Sequence, residues 1–167
     1  MNDNVLSLAE RKASATGNTL AEWQCANLLA RFFQFLDEQR YDDLAALFTE
    51  EGKWHRQGKV LVGNYAILQA LQARSKSLFV RHVLSCPAVT LVGDNRATVS
   101  AAVTVYAAPW DTNPVLPLLC QGPHSVLNTT ATIYRPRSGA YEIAELINTP
   151  IFTFVTPTPA PPGTLAH

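Results

Sequence analysis

The sequence predicts an α+β fold, in which three helices are followed by an antiparallel sheet. Before residue 75 apolar residues recur mainly at helical spacing, whereas from residue 78 they alternate with polar ones, as in half-buried strands. Turn sequences such as GDN and PRSG separate these later segments. Because helices precede hairpin-linked strands, we expect the helices to cover the concave face of the sheet.

The first half of the chain carries signals for three helices. Thr19 can cap the first, with Glu22 completing a capping box, and this helix is predicted to run to about Arg40. A second helix is predicted in YDDLAALFTE and a third in GNYAILQALQARS, capped by Asn64. The segment GKWHRQG between them is predicted to be a short strand.

The second half carries signals for four strands, predicted at 79–90, 95–107, 124–135 and 140–154. The loop at 109–123 is longer than a hairpin needs and is rich in apolar residues, so it could be a pocket lid or a dimer contact. We predict one domain over 19–155, between a flexible N-terminal arm at 1–18 and a proline-rich, extended tail at 156–167.

Charge and cysteine content narrow the class of protein. Only 16% of the residues are charged, against roughly 25% in ordinary soluble chains, so we expect a homo-oligomer, most simply a homodimer. Lys plus Arg and Asp plus Glu each number 13, which gives no indication of a nucleic-acid or membrane partner. The three cysteines are widely spaced and match neither a metal site nor a disulfide framework, and no signal peptide is evident. The prediction is a soluble, cytoplasmic protein without metal or cofactor.

A histidine stands in the middle of the apolar strand LFVRHVLSCPAV. Strand alternation places His82 on the same face as Val80, Leu84 and Cys86. One explanation is a buried histidine whose nitrogens are satisfied by backbone groups. The other is a general base in a pocket.

Asp37 is the second unusual residue. It falls in the last turn of the first helix, where a negative charge opposes the helix dipole, and one turn beyond Phe33 on the buried stripe. An ion pair with Arg40 is an equally good explanation. If Asp37 instead meets His82, its carboxylate would fix the imidazole tautomer and leave the other ring nitrogen as a proton acceptor.

The phrases RFFQFLDEQRYDDLAALFTEEGKWHRQG, LVGNYAILQALQAR and RHVLSCPAV, in this order and spacing, resemble the SnoaL-like branch of the nuclear transport factor 2-like superfamily. The resemblance covers about residues 20 to 155. It implies a cystatin-like cone, in which a curved antiparallel sheet wraps three helices around an apolar pocket, commonly in a dimer.

Within that superfamily, scytalone dehydratase and hexachlorocyclohexane dehydrochlorinase use an Asp–His dyad to abstract a proton during elimination. The resemblance assigns these roles to Asp37 and His82, and it matches Trp54 to a pocket tryptophan. The ketosteroid isomerase pattern fits poorly, because the resemblance places its catalytic tyrosine on Phe32 and its aspartate base near Arg56, so we do not expect that chemistry.

Further residues are candidates for the pocket. Phe33 lies at the centre of the helical stripe and Leu84 on the His82 face, while Tyr106 and Asn128 could line a cavity or serve packing and strand contacts. If Trp54 faces the pocket, the adjacent His55 faces outward.

Two functions are compatible with this sequence. The first is a cofactor-independent lyase or isomerase, of dehydratase or dehydrohalogenase type, acting on a small, largely apolar cyclic substrate. The second is a non-catalytic ligand-binding or scaffold protein of the same fold, similar to the β subunit of ring-hydroxylating dioxygenases, which would be trimeric.

Overall fold

The fold consists of three helices and six strands. The structure is a computed structural model that describes residues 8–75, 77–110, 116–120, 122–137 and 139–154, with side chains from residue 16. The elements are α1 (Leu8–Asp37), α2 (Tyr41–Ala45), β1 (Phe48–Arg56), β2 (Lys59–Val62), α3 (Gly63–Gln72), β3 (Leu78–Val92), β4 (Arg96–Pro109), β5 (Ser125–Tyr134) and β6 (Glu142–Thr153). Residues 1–7 of the arm predicted at 1–18, the tail at 156–167 and part of the 109–123 loop lie outside the described residues.

The strands form a single sheet in the order β2-β1-β6-β5-β4-β3. All neighbours are antiparallel except β1 and β6, which are parallel. The sheet is curved and unclosed. The predicted α+β architecture is therefore confirmed, and the four long strands lie close to their predicted positions. No helix in the described ranges is long and apolar enough to cross a membrane.

The helix boundaries differ from the prediction at three places. The first helix already begins at Leu8 and continues through Thr19, because extending an existing helix adds one hydrogen bond per residue and outweighs a local capping signal. The second helix ends at Ala45, so that Phe48 opens β1 instead of lying in a helix. Val62, not Asn64, is the N-cap residue of α3.

A hairpin replaces the predicted short strand near Trp54. The strand β1 turns into β2 through Gln57 and Gly58, whose φ angles are 51° and 76°. Two consecutive positive φ angles match the type I′ turn, whose twist suits a two-residue hairpin. Arg56 is the last residue of β1 before this turn and pairs with Lys59 of β2, the edge strand.

The two faces of the sheet have different surroundings. The inner face, defined by Val99, Val103, Ala131 and Leu146, packs against the helices in one apolar core. The outer face carries the alternate residues of the same strands. The largest fully buried side chains of the core are Trp54, Phe32, Leu29, Leu44, Ile67, Leu71, Ile133, Ile143 and Leu146.

A bulge interrupts β3 shortly after His82. The register with β4 shifts between Ser85 and Ala88, and Cys86 adopts a φ of 47°. Cys86 is consequently exposed, so the prediction that it shares the inner face with His82 is wrong.

Gly52, two residues before Trp54 in β1, allows β1 to approach β6 closely. A Cβ atom at this position would lie 2.9 Å from the Ile143 carbonyl oxygen and 2.9 Å from the Phe48 Cβ. Gly52→Ala is expected to lower the free energy of unfolding by about 1–3 kcal/mol, because backbone must shift to admit the methyl group. Urea denaturation tests this, with Gly17→Ala as control: no atom outside its own helix lies within 4 Å of the added Cβ, so this variant should be no less stable than the parent. Equal stability of Gly52→Ala and the parent would contradict the prediction.

Candidate functional site

Asp37 is held at the end of α1 by the way this helix terminates. Gln39 adopts a left-handed φ of 57°, and the Arg40 N–H donates to the Phe35 carbonyl at 2.9 Å. A left-handed residue followed by this long-range bond is the Schellman arrangement, which satisfies the last carbonyls of a helix. The chain therefore reverses just after Asp37 and leaves its side chain beside β3.

Three hydrogen bonds join Asp37 to β3. One carboxylate oxygen, Oδ1, lies 2.6 Å from Nδ1 of the His82 ring, and the other, Oδ2, accepts the His82 backbone N–H at 2.8 Å. The Arg81 guanidinium also donates to the Asp37 carbonyl at 3.3 Å. The carboxylate thus fixes both the backbone and the ring of His82, across 45 positions of sequence.

The contact is nearly closed to solvent. The side chains of His82 and Asp37 are 9% and 8% exposed. Because the carboxylate accepts the proton on Nδ1, a neutral His82 ring carries its lone pair on Nε2. In the part of the chain that the structure describes, Nε2 has no hydrogen-bond partner.

Apolar side chains lie beside His82, whereas the cavity at Asp37 has both polar and apolar lining residues. The Phe33 ring lies 5.2 Å from the His82 ring, at an interplanar angle of 34°. Leu84 is two residues along the same face of β3 and packs against the core. Asp37 also contributes to a small cavity of about 110 Å³, lined in addition by Leu36, Gln39, Tyr41, Arg74, Ser75, Leu78, Phe79, Val80 and Trp110.

Trp54 points to the inner face, as expected for a pocket residue, and is 2% exposed. Its ring packs edge-on against Phe32 at 5.3 Å, and Phe32 in turn contacts Phe33 at 5.0 Å. The indole Nε1 is buried without a hydrogen-bond partner among the described residues. A buried donor without a partner is unfavourable.

The expectation that Tyr106 and Asn128 line the same pocket as His82 is wrong. His82 pairs with Val105 on the inner face, so the next residue, Tyr106, lies on the outer face opposite Arg81. Asn128 pairs with Ala102 and is exposed on the outer face as well. Each belongs to a separate outer cavity.

A second histidine–carboxylate pair occupies the outer face of the sheet. The His55 Nε2 lies 2.7 Å from the Glu145 carboxylate, and the two side chains are 35% and 38% exposed. The prediction that His55 faces away from Trp54 is confirmed. The exposure of this pair distinguishes it from the enclosed pair of Asp37 and His82.

Sequence reasoning missed Arg56 and Arg74, which line a cavity of about 550 Å³. Arg56 comes from β1 and Arg74 follows α3. Burial lowers the pKa of the Arg56 guanidinium from its ordinary value, and the positive charge of Arg74 lowers it further. Nothing in the local sequence marks these two arginines, because their proximity depends on the β1–β2 hairpin.

Other reactive groups near the core are poor nucleophile or metal-site candidates. Burial raises the pKa of the Cys25 thiol to about 11, so this thiol stays protonated at neutral pH. Among the described residues there is no cluster of three or more His, Cys, Asp or Glu side chains that could hold a metal ion.

The fold and the sequence together define the class of this protein. The SnoaL-like domain family matches residues 18–131. The chain therefore belongs to the SnoaL-like domain family. None of the curated protein sequences compared with the chain matches it.

Solved structures show the same fold at low sequence identity. A nuclear transport factor 2-like protein with a cystatin-like fold from Novosphingobium aromaticivorans is 19% identical, over 89% of this chain and 92% of its own, with a TM-score of 0.70. A proposed scytalone dehydratase from the same organism is 16% identical, over 92% and 99%, with a TM-score of 0.68. The protein Aln2 from a Streptomyces species is 20% identical, over 76% and 88%, with a TM-score of 0.63.

Proposed function

We propose that this protein is a cofactor-independent lyase or isomerase that abstracts a proton from a small, largely apolar cyclic substrate. The observation that carries the proposal is the 2.6 Å contact between the Asp37 carboxylate and His82 Nδ1, with Nε2 unpartnered among the described residues. Two features of the surroundings support it: the pair is enclosed, and the apolar Phe33 ring lies beside the His82 ring. The likeness to a proposed scytalone dehydratase agrees with this class of reaction.

His82 would act as the general base through Nε2. In an elimination, Nε2 takes the proton from a carbon next to an electron-withdrawing group. The electron pair of the broken C–H bond forms a C=C bond, and a hydroxide or halide leaves the neighbouring carbon with its own bonding pair. The imidazolium then returns its proton to a departing hydroxide, giving water, or to solvent. In an isomerisation, the same proton returns to a different carbon.

Asp37 would be a positioning residue in this scheme. Its carboxylate holds the proton on Nδ1, orients the ring and stabilises the positive charge that develops on the imidazole. Phe33 and Leu84 would shape the pocket. Because these apolar side chains exclude water, they would strengthen the electrostatic interaction between the Asp37 carboxylate and the His82 ring.

Trp54 would bind the substrate through its buried indole N–H. Trp54→Phe is expected to raise KM by about 2–10-fold with a smaller effect on kcat, which corresponds to the loss of one neutral hydrogen bond. Steady-state kinetics measure this, and Trp23→Phe is the matched control because Trp23 is 62% exposed. An unchanged KM in Trp54→Phe would contradict the role.

A substrate screen tests the proposed function. Cyclic β-hydroxy ketones and chlorinated cycloalkanes are incubated with the protein in D₂O, and NMR records both alkene formation and deuterium incorporation next to the activating group. The expected result is elimination or exchange that depends on His82. Turnover at the same rate in His82→Gln would reject the mechanism.

A non-catalytic binding or scaffold protein is the second candidate function. Apolar side chains on the outer surface favour it: Leu116, Leu119 and Phe152 are 70%, 93% and 60% exposed. We propose that such a surface pairs two copies in a homodimer, whereas the dioxygenase-like scaffold would be a trimer.

Size-exclusion chromatography with light scattering distinguishes a dimer from a trimer. A trimer without His82-dependent chemistry would favour the scaffold.

A further inference from the structure

A basic cavity adjoins the small cavity that contains Asp37. Its volume is about 550 Å³, within the range of small-molecule sites. The cavity lies between the β1–β2 hairpin, the end of α3 and the start of β3. Arg56, Lys59 and Arg74 line it, and no Asp or Glu side chain from the described residues does.

The two arginines lack the partners that usually neutralise a half-buried guanidinium. Arg56 lies over the Trp54 ring at 5.3 Å and has no hydrogen bond to the described residues. Arg74 donates one hydrogen bond, from Nη1 to the Leu36 carbonyl at 3.2 Å. Neither forms an ion pair with a described carboxylate, whereas the exposed Arg40 pairs with both Glu38 and Asp43.

Holding two like charges together, partly removed from water, is unfavourable unless an anion joins them. Burial of Arg56 and the positive charge of Arg74 both lower the pKa of the Arg56 guanidinium. A guanidinium presents a planar fork of N–H donors that matches a carboxylate. The chain has a net charge of zero, so the positive charge in this cavity is local rather than part of a broad basic surface.

The basic cavity continues toward the candidate site. Arg74, Ser75, Leu78 and Val80 line both this cavity and the smaller one that contains Asp37. Val80 also precedes His82 by two residues on the same inner face of β3. A molecule with an anionic end at the arginines could therefore extend an apolar body along Leu78 and Val80.

We propose that the ligand of this site is a cyclic organic acid, whose carboxylate binds Arg56 and Arg74 and whose ring extends toward His82. This inference rests on the proposed function and names its substrate class. The carboxylate anchors the molecule away from the reacting carbon, so the arginines would contribute to binding and orientation while His82 moves the proton.

Isothermal titration calorimetry with 2-naphthoate and the neutral 2-naphthamide tests the proposal. We expect naphthoate to bind at least about tenfold more tightly than the amide, and more weakly at higher salt. Arg56→Gln and Arg74→Gln should each weaken naphthoate binding about tenfold or more, with the affinity for naphthamide unchanged. An unchanged amide affinity also shows that the variants are folded. Arg135→Gln is the matched control, because Arg135 similarly lies 5.3 Å over an aromatic ring, that of Tyr141.

Several results would overturn the acid site. The first two are the absence of naphthoate binding and an equal affinity for naphthoate and naphthamide. The third is a naphthoate affinity that stays unchanged in both Arg56→Gln and Arg74→Gln. The fourth is a loss of naphthoate affinity in Arg135→Gln as large as the loss in those two variants. Displacement of naphthoate by a lower concentration of inorganic phosphate would overturn the carboxylate assignment.

His82→Gln separates this inference from the proposed function. Naphthoate should bind this variant normally, since the arginines are intact. If naphthoate binds as expected but turnover does not depend on His82, the proposed function fails and the acid site stands. If turnover of neutral substrates depends on His82 but acids do not bind, only the acid site fails.

Discussion

Replacing His82 with glutamine is expected to lower kcat/KM by about 10²–10⁴-fold on any substrate that the protein turns over by proton abstraction. Glutamine is close in size and can still donate to the Asp37 carboxylate, but it has no group that takes up a proton near neutral pH. The rate of alkene formation, or of deuterium exchange, measures the effect. Because the His82 backbone N–H still donates to Asp37, the variant should remain folded.

The matched control is His55→Gln. His55 also contacts a carboxylate, Glu145, at 2.7 Å, but this pair lies on the outer face of the sheet. His55→Gln should leave kcat/KM within about twofold of the parent value, since surface substitutions usually have small effects. Equal losses in His55→Gln and His82→Gln would mean that the activity does not depend on the enclosed pair.

Changing Asp37 is expected to affect both turnover and stability. Asp37→Asn should lower kcat/KM by about 10²–10⁴-fold, because the amide N–H₂ can donate to Nδ1 and so favour the tautomer with its proton on Nε2. Asp37→Ala removes both bonds to His82 and should lower the free energy of unfolding by about 1–3 kcal/mol, because buried N–H donors lose their acceptor. Nitrogen-15 NMR of the imidazole ring reports the tautomer directly, and urea denaturation reports the stability.

Asp43→Asn provides the comparison for Asp37. Asp43 accepts from Arg40 at 2.7 Å, but both side chains are about half exposed. Exposed ion pairs typically contribute less than about 1 kcal/mol, so this variant should be nearly as stable as the parent and should keep the His82 tautomer. A parent-like ring spectrum in Asp37→Asn would show that another group orients His82.

The sequence by itself determined most of the order of helices and strands, and it marked Asp37 and His82 as unusual residues. Helical and strand periodicities are local properties, so they placed Phe33 on a buried stripe and His82 on the apolar face of β3. Asp37 stood out because its charge opposes the dipole of its own helix. The early start of α1 was missed because extension of an existing helix outweighs a local cap signal. The second strand of the β1–β2 hairpin was missed as well.

Only the tertiary structure decided which of these residues meet. The contact of Asp37 with His82 depends on where the end of α1 packs along β3, which sequence spacing cannot give. The face of Tyr106 depends on the register between β3 and β4, because a shift of one residue would move it to the other side of the sheet. Arg56 and Arg74 come together only because the β1–β2 hairpin folds against the end of α3, so the basic cavity has no local sequence signature.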